Sequence, residues 1–139
     1  GAGNARFTTG SGTATWTFLG LADGLYEVAA SWSFGGNRPS DVPYTVQGLG
    51  PFTVNQQSVA SGGPTLNDGS NNITFQTLTT AIVSGGTLTV VLTDDEADFP
   101  FATADAIAIR SLATPEPSTL GLVVMGAMLL ARHRKKIAA

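Results

Sequence analysis

The sequence predicts an all-β fold: an antiparallel two-sheet β-sandwich of about seven strands, followed by a short C-terminal hydrophobic helix. Two observations carry this reading. Apolar and polar residues alternate with a period of two through most of the chain, the mark of half-buried strands. Glycine, proline, asparagine and aspartate interrupt that alternation at short intervals, as turns require, and no convincing helix is visible before residue 113.

In chain order, residues 13–18 (TATWTF) place Trp16 and Phe18 on one face of a strand. Ala22, Asp23 and Gly24 make a turn. Residues 25–32 (LYEVAASW) alternate again, with Tyr26, Val28, Ala30 and Trp32 on one face and Glu27 and Ser31 on the other. Residues 35–39 break the pattern. Residues 44–47 and 52–56 form two strands around Gly48, Leu49, Gly50 and Pro51. Residues 58–71 are polar and Gly-rich and are expected to form a long loop. Strands at 72–78, 87–93 and 105–110 complete the set. The inward residues are Trp16, Phe18, Tyr26, Val28, Trp32, Val46, Leu88, Val90, Leu92, Ile107 and Ile109. They suffice for one small core. A single open sheet would leave one apolar face in water, so two packed sheets are expected.

Five segments follow from this division: a linker at 1–12, the β-domain at 13–112, a Pro-rich linker at 113–119, an apolar helix at 120–131 and a basic end at 132–139. Only 12% of the 139 residues are charged, against roughly 25% in an average globular domain. The net charge of −3 hides an asymmetry. Residues 1–114 hold three arginines against nine carboxylates, whereas the remainder holds four Lys or Arg against Glu116. The acidic body could not neutralise phosphates, so no nucleic acid is expected as a partner. The basic tail suits the anionic cytoplasmic face of a membrane. The chain has no cysteine, and its one histidine, His133, lies in the basic end. Histidine-based triads and thiol nucleophiles are therefore absent, and the chain is expected not to be an enzyme.

The tail, TPEPSTLGLVVMGAMLLARHRKKIAA, has three parts in a fixed order. Pro115, Glu116 and Pro117 come first, and the two prolines keep this stretch extended and free of helix. The apolar run follows, with Leu120, Leu122, Val123, Val124, Met125, Met128, Leu129 and Leu130 as its large residues. Its twelve uncharged residues would span roughly 18 Å as a helix, against a hydrocarbon core of about 30 Å, so it is a poor permanent anchor and suits transient insertion in the inner membrane. Arg132, Arg134, Lys135 and Lys136 then stop translocation. This order resembles the PEP-CTERM sorting signal of Gram-negative bacteria. The resemblance implies recognition and removal by exosortase, a membrane-embedded transpeptidase-like enzyme, and delivery to the cell surface or extracellular matrix. It also implies an exported chain, so a sequence starting at Gly1 without a signal peptide is expected to be the trailing part of a longer one.

A second resemblance lies in the body. Residues 14–47 contain Gly20, Leu21, Gly24, Tyr26 and Val28 in the order G-L-x-x-G-x-Y-x-V, then Trp32, Asn37, Arg38 and the run Val42, Pro43, Tyr44, Thr45, Val46. Residues 85–98 (GGTLTVVLTDDEAD) and 102–110 (ATADAIAIR) follow. Together these resemble the golvesin C-terminal, or xanthan-lyase carbohydrate-binding-like, domain over residues 13–111. Residues 58–80 depart from that family by being more polar and Gly-rich. The resemblance implies a β-sandwich of secreted and surface proteins.

Asp105 shares a strand face with Ile107 and Ile109 and should point inward, where a carboxylate needs a partner. Arg38 is the expected partner in a structural ion pair. Asp94, Asp95 and Asp98, with Glu96, offer oxygen ligands that could hold Ca²⁺, but their spacing fits no EF-hand loop, and no cofactor or metal is expected. Trp16 and Trp32 belong to the core by their alternation. Phe34, Phe99 and Phe101 fall in loops and are the candidates for an exposed aromatic platform that contacts a ligand. The expected function is that of a non-catalytic exported surface or matrix module that binds polysaccharide. Two alternatives stay open: an accessory binding domain of a secreted polysaccharide-degrading enzyme, and a purely structural spacer.

Overall fold

The computed structural model describes residues 6–7, 11–94 and 101–112. Among them the chain is all-β, with eleven strands and no helix. These are β1 (Arg6–Phe7), β2 (Gly12–Leu19), β3 (Gly24–Ser31), β4 (Val42–Val46), β5 (Leu49–Val54), β6 (Thr65–Asn67), β7 (Asn72–Thr74), β8 (Gln76–Val83), β9 (Thr87–Asp94), β10 (Thr103–Ala104) and β11 (Ala106–Ser111). All pairings are antiparallel. The expected helix at 120–131 lies outside the described residues.

Seven strands build the body. A three-stranded sheet has the order β11-β3-β8, and a four-stranded sheet has the order β2-β9-β4-β5. The inner faces of both sheets contribute to one apolar cluster. Val28 and Ala30 of β3 and Val83 of β8 enter it from the first sheet; Tyr44, Val46, Leu88, Val90 and Leu92 enter from the second, all essentially without solvent contact. Trp16 and Phe18 pack on it from edge strand β2, and Ile107 and Ile109 from edge strand β11. Trp16 stacks on Tyr44 with ring centroids 6.3 Å apart, a favourable offset arrangement. Along β9 every second residue is buried, and the intervening threonines and Val91 are half-buried. The alternation seen in the sequence is thus the inside–outside alternation of the sheets.

The remaining four strands form two ribbons, β1-β10 and β6-β7. The second corrects the long loop expected at 58–71. Asp68 Oδ1 accepts the Ser70 and Asn71 amides at 2.8 and 2.7 Å, and Asn67 Nδ2 donates to Asn72 Oδ1 at 2.9 Å. A polar hairpin that satisfies its own backbone in this way needs no apolar face, and so escapes a search for hydrophobic alternation. These amide bonds to the carboxylate hold the Asp68 carboxyl below the usual range. The strand expected at 72–78 is in fact β7 and the start of β8, separated at the buried Phe75. The β4–β5 connection also shifts. Its turn is Gln47 and Gly48, both with positive φ of 52° and 75°, the geometry of a tight hairpin turn that follows the sheet twist. Gln47 then braces β9, donating Nε2 to the Thr87 carbonyl at 2.7 Å.

One buried polar residue joins distant parts of the chain. Gln56 is fully buried. Its Nε2 donates to the Thr103 carbonyl at 2.8 Å and its Oε1 accepts the Thr103 amide at 2.7 Å. Its backbone amide donates to Pro39 O at 3.0 Å, and its carbonyl accepts the Gly35 amide at 3.1 Å. The segment after β5 is therefore tied to the β3–β4 loop and to β10. Gln56→Ala leaves both Thr103 backbone groups unpaired in the interior and should lower unfolding free energy by about 3 kcal/mol, read from urea denaturation of the chain.

Candidate functional site

Strand register gives the body two distinct ends. At one end lie the β2–β3 connection, the Gln47–Gly48 turn, the β8–β9 connection and the end of β11. At the other lie the β3–β4 loop, the end of β9 and the stretch through β10 to Asp105. The chain exits at the first end, where the Leu112 amide donates to the Leu25 carbonyl at 2.8 Å. It is the second end that gathers the candidate chemistry.

That second end carries a cleft of about 380 Å³ lined by Ser31, Trp32, Phe34, Val59, Ala60 and Thr74. Trp32 is 5% exposed and donates its indole N–H to the Ser58 carbonyl at 2.8 Å, so it is a wall of the cleft and part of the core. Ser31 is buried and donates Oγ to the Thr74 carbonyl at 3.1 Å. Phe34, 59% exposed, and Val59, 56% exposed, offer the apolar surface at the rim. Of the three expected aromatic contacts, Phe34 is thus placed on an open surface. Phe101 is half-buried with interactions of its own, and Phe99 lies outside the described residues.

Acidic groups surround the same end. Asp94 is 4% exposed and its Oδ2 accepts the Ala102 amide at 3.1 Å, so this carboxylate holds the stretch before β10 in place. It also borders a small polar hollow of about 100 Å³ with Asp41, Pro39, Pro43, Thr93 and Ala102. Asp95 and Asp98 lie outside the described residues. Among the described residues no three His, Cys, Asp or Glu side chains group as metal ligands do. Asp105 is half-buried, and burial raises its carboxyl above the ordinary value. Burial likewise pushes the Tyr44 phenol well above its usual value; the Gln56 side chain opposes this and the Asp105 charge adds to it.

The Arg38–Asp105 pair expected from the sequence is not among the ion pairs of the described residues. The pair formed there is Arg110 with Glu27. The cause is register: Arg110 of β11 sits directly opposite Glu27 of β3, whereas Arg38 lies in the β3–β4 loop, with its amide bonded to Gly35 O and its carbonyl accepting Gln57 Nε2. Glu27 also accepts the Thr77 hydroxyl at 2.7 Å, which joins β3 to β8 through side chains.

Beyond Leu112 the chain enters the segment that the comparisons identify. Residues 113–135 match the PEP-CTERM protein-sorting motif. The match takes in Pro115, Glu116 and Pro117, the apolar residues from Leu120 to Leu130, and Arg132, Arg134 and Lys135; Lys136 falls just beyond it. All of them lie outside the described residues. PEP-CTERM signals are recognised by exosortase, so the tail marks the chain for export and surface sorting. No curated protein and no solved structure matches the chain. The resemblance of residues 13–111 to the golvesin-like domain accordingly finds no support among relatives.

The site residues that sequence reasoning missed are Gln56 and Val59. Gln56 closes the strand expected at 52–56, in phase with Phe52 and Val54, but its polar side chain was not counted with the core; Val59 falls in the polar stretch expected to be a loop. The raised Asp105 carboxyl gives a signed prediction. Its folded-state pKa exceeds its unfolded value, so its effect on stability is most favourable at acid pH and is lost as pH rises through the raised value. Asp105→Asn should therefore raise the melting temperature at pH 7, with the gain vanishing near pH 3, as measured by thermal unfolding at both pH values.

Proposed function

We propose that the chain is a non-catalytic exported module, sorted by an exosortase-type enzyme, whose body works at the cell surface against extracellular polysaccharide. The match of residues 113–135 to the sorting motif carries the first half of this reading. The placement of the cleft supports the second. Phe34 and Val59 present apolar surface at the end of the body opposite the tail exit, and an exposed aromatic beside hydrogen-bonding groups is a surface on which a sugar ring can stack. With no cysteine and with its one histidine in the basic end, the chain lacks the usual nucleophile and base.

Two outcomes test the reading. Mass spectrometry of the surface fraction from the native host should find chains that end within residues 115–117; surface chains that still carry residues 132–139 would show the tail to be a retained anchor. In titration calorimetry against bacterial exopolysaccharides, Phe34→Ala should weaken binding about tenfold. A polysaccharide bound equally well by both proteins would exclude the Phe34 cleft, and no binding at all would leave the spacer reading in its place.

A further inference from the structure

The three most exposed large apolar side chains among the described residues are Ile82 at 76%, Leu19 at 74% and Leu49 at 65%. All three belong to the end from which the chain exits. Leu19 closes β2 and pairs with Thr87, the first residue of β9. Ile82, next to last in β8, pairs with Leu25, the residue whose carbonyl binds the Leu112 amide. Leu49 follows the Gln47–Gly48 turn and pairs with Val46. Leu19 and Ile82 stand on different sheets, so the three residues are distributed around the exit.

Charge is distributed in the opposite sense. The connections at the exit end, residues 20–23, 47–48 and 84–86, contain a single ionisable side chain, Asp23. Its Oδ1 accepts the Gly85 amide at 2.9 Å. The other end holds Asp41, Asp94 and Asp105 together with two cations, Arg38 of the β3–β4 loop and Arg6 of β1, and the sequence between Asp94 and Phe101 adds Asp95, Glu96 and Asp98. The balance is still acidic, so an anionic surface would repel the second end more strongly than the first.

The length of the tail then limits where the body can be. Seven residues, 113–119, separate Leu112 from the start of the apolar run. Fully extended, they reach about 25 Å. The headgroup layer on one side of a bilayer takes up several ångströms of that reach. A body tethered so closely keeps a high effective concentration at the membrane, so a contact too weak to bind free protein suffices to hold it.

We propose that the exit end of the body, rimmed by Leu19, Leu49 and Ile82, rests in the interfacial layer of the lipid bilayer for as long as the tail is attached. The inference depends on the reading of residues 120–131 as a membrane-inserted segment. Docked in this way, the body points its acidic end and the Phe34 cleft away from the lipid. Cleavage next to Pro115 or Pro117 removes the tether, and the three side chains alone then release the body. The sorting cut thus also acts as an undocking step.

The absence of cysteine allows a direct test. Single-cysteine variants of residues 1–139, Leu19→Cys, Leu49→Cys, Ile82→Cys, Asp41→Cys and Met125→Cys, are labelled with a polarity-sensitive fluorophore. Each is then incorporated through its tail into vesicles of three parts phosphatidylethanolamine to one part phosphatidylglycerol. Labels at positions 19, 49 and 82 should shift to the blue and be quenched by lipid carrying a shallow doxyl group, whereas a label at position 41 should do neither. A label at position 125 reports tail insertion separately, through quenching by a deep doxyl group. Deep quenching at 125 with aqueous spectra at 19, 49 and 82 overturns the docking while leaving the inserted tail intact. No quenching at 125 overturns the tail reading and the docking together. Shielding of 19, 49 and 82 that needs added exosortase assigns the surface to the enzyme and also overturns the proposal.

Discussion

The pairing of β11 with β3 is the constraint on which the rest of the body depends. It places Ile107 opposite Ala30 and Ile109 opposite Val28, so the last strand packs its apolar residues against the cluster that β3 has already entered. It sets Arg110 across from Glu27, and the two form an ion pair. It also brings Leu112 to Leu25 and so fixes the point from which the tail leaves. A slip of one residue would reverse every side chain of β11. The isoleucines would turn outward, Glu27 would lose its partner and the exit would move. Because the ion pair has one partner largely in water, its own contribution is small; burial of the isoleucines is what selects the register.

The two ends of the body differ because different forces shape them. Connections at the exit end are short and rich in glycine, and they are held by backbone bonds such as the Leu21 amide to the Gly86 carbonyl at 3.0 Å. The far end is made of longer segments that are largely irregular, with only the short β1-β10 ribbon among them. It is held by side chains buried for the purpose: Gln56 on Thr103, Asp94 on Ala102, Trp32 on Ser58. Such contacts hold only when every partner is present. They position Phe34 and Val59 at the rim of the cleft without covering them. The open rim of the cleft therefore lies where irregular backbone is stabilised by buried polar groups, and the end with few charges lies where the turns are tight.

Much of the fold was legible in the sequence because alternation reports burial directly. Trp16, Phe18, Tyr26, Val28, Leu88, Val90, Leu92, Ile107 and Ile109 were all expected in the core and all lie in it or against it. The cleft was legible only through Phe34. Val59 lies in a polar stretch, and the residues that line the cleft with it, Trp32 just after β3 and Thr74 in β7, are distant in sequence. The β6-β7 ribbon escaped because its turn is stabilised by Asn67 and Asp68 side chains rather than by an apolar face.

By itself the sequence determined the all-β class, the core residues and the sorting signal, since each depends on the order of residue types along a short stretch. Periodicity needs only neighbours two apart, and the tail motif is a contiguous run that matches as such. Tertiary structure alone decided the partner of Glu27, the burial of Gln56 and the placing of Leu19, Leu49 and Ile82 at the end away from Asp41, Asp94 and Asp105. Each of these depends on which strands lie side by side and in what register, and register is settled by the whole set of buried contacts at once.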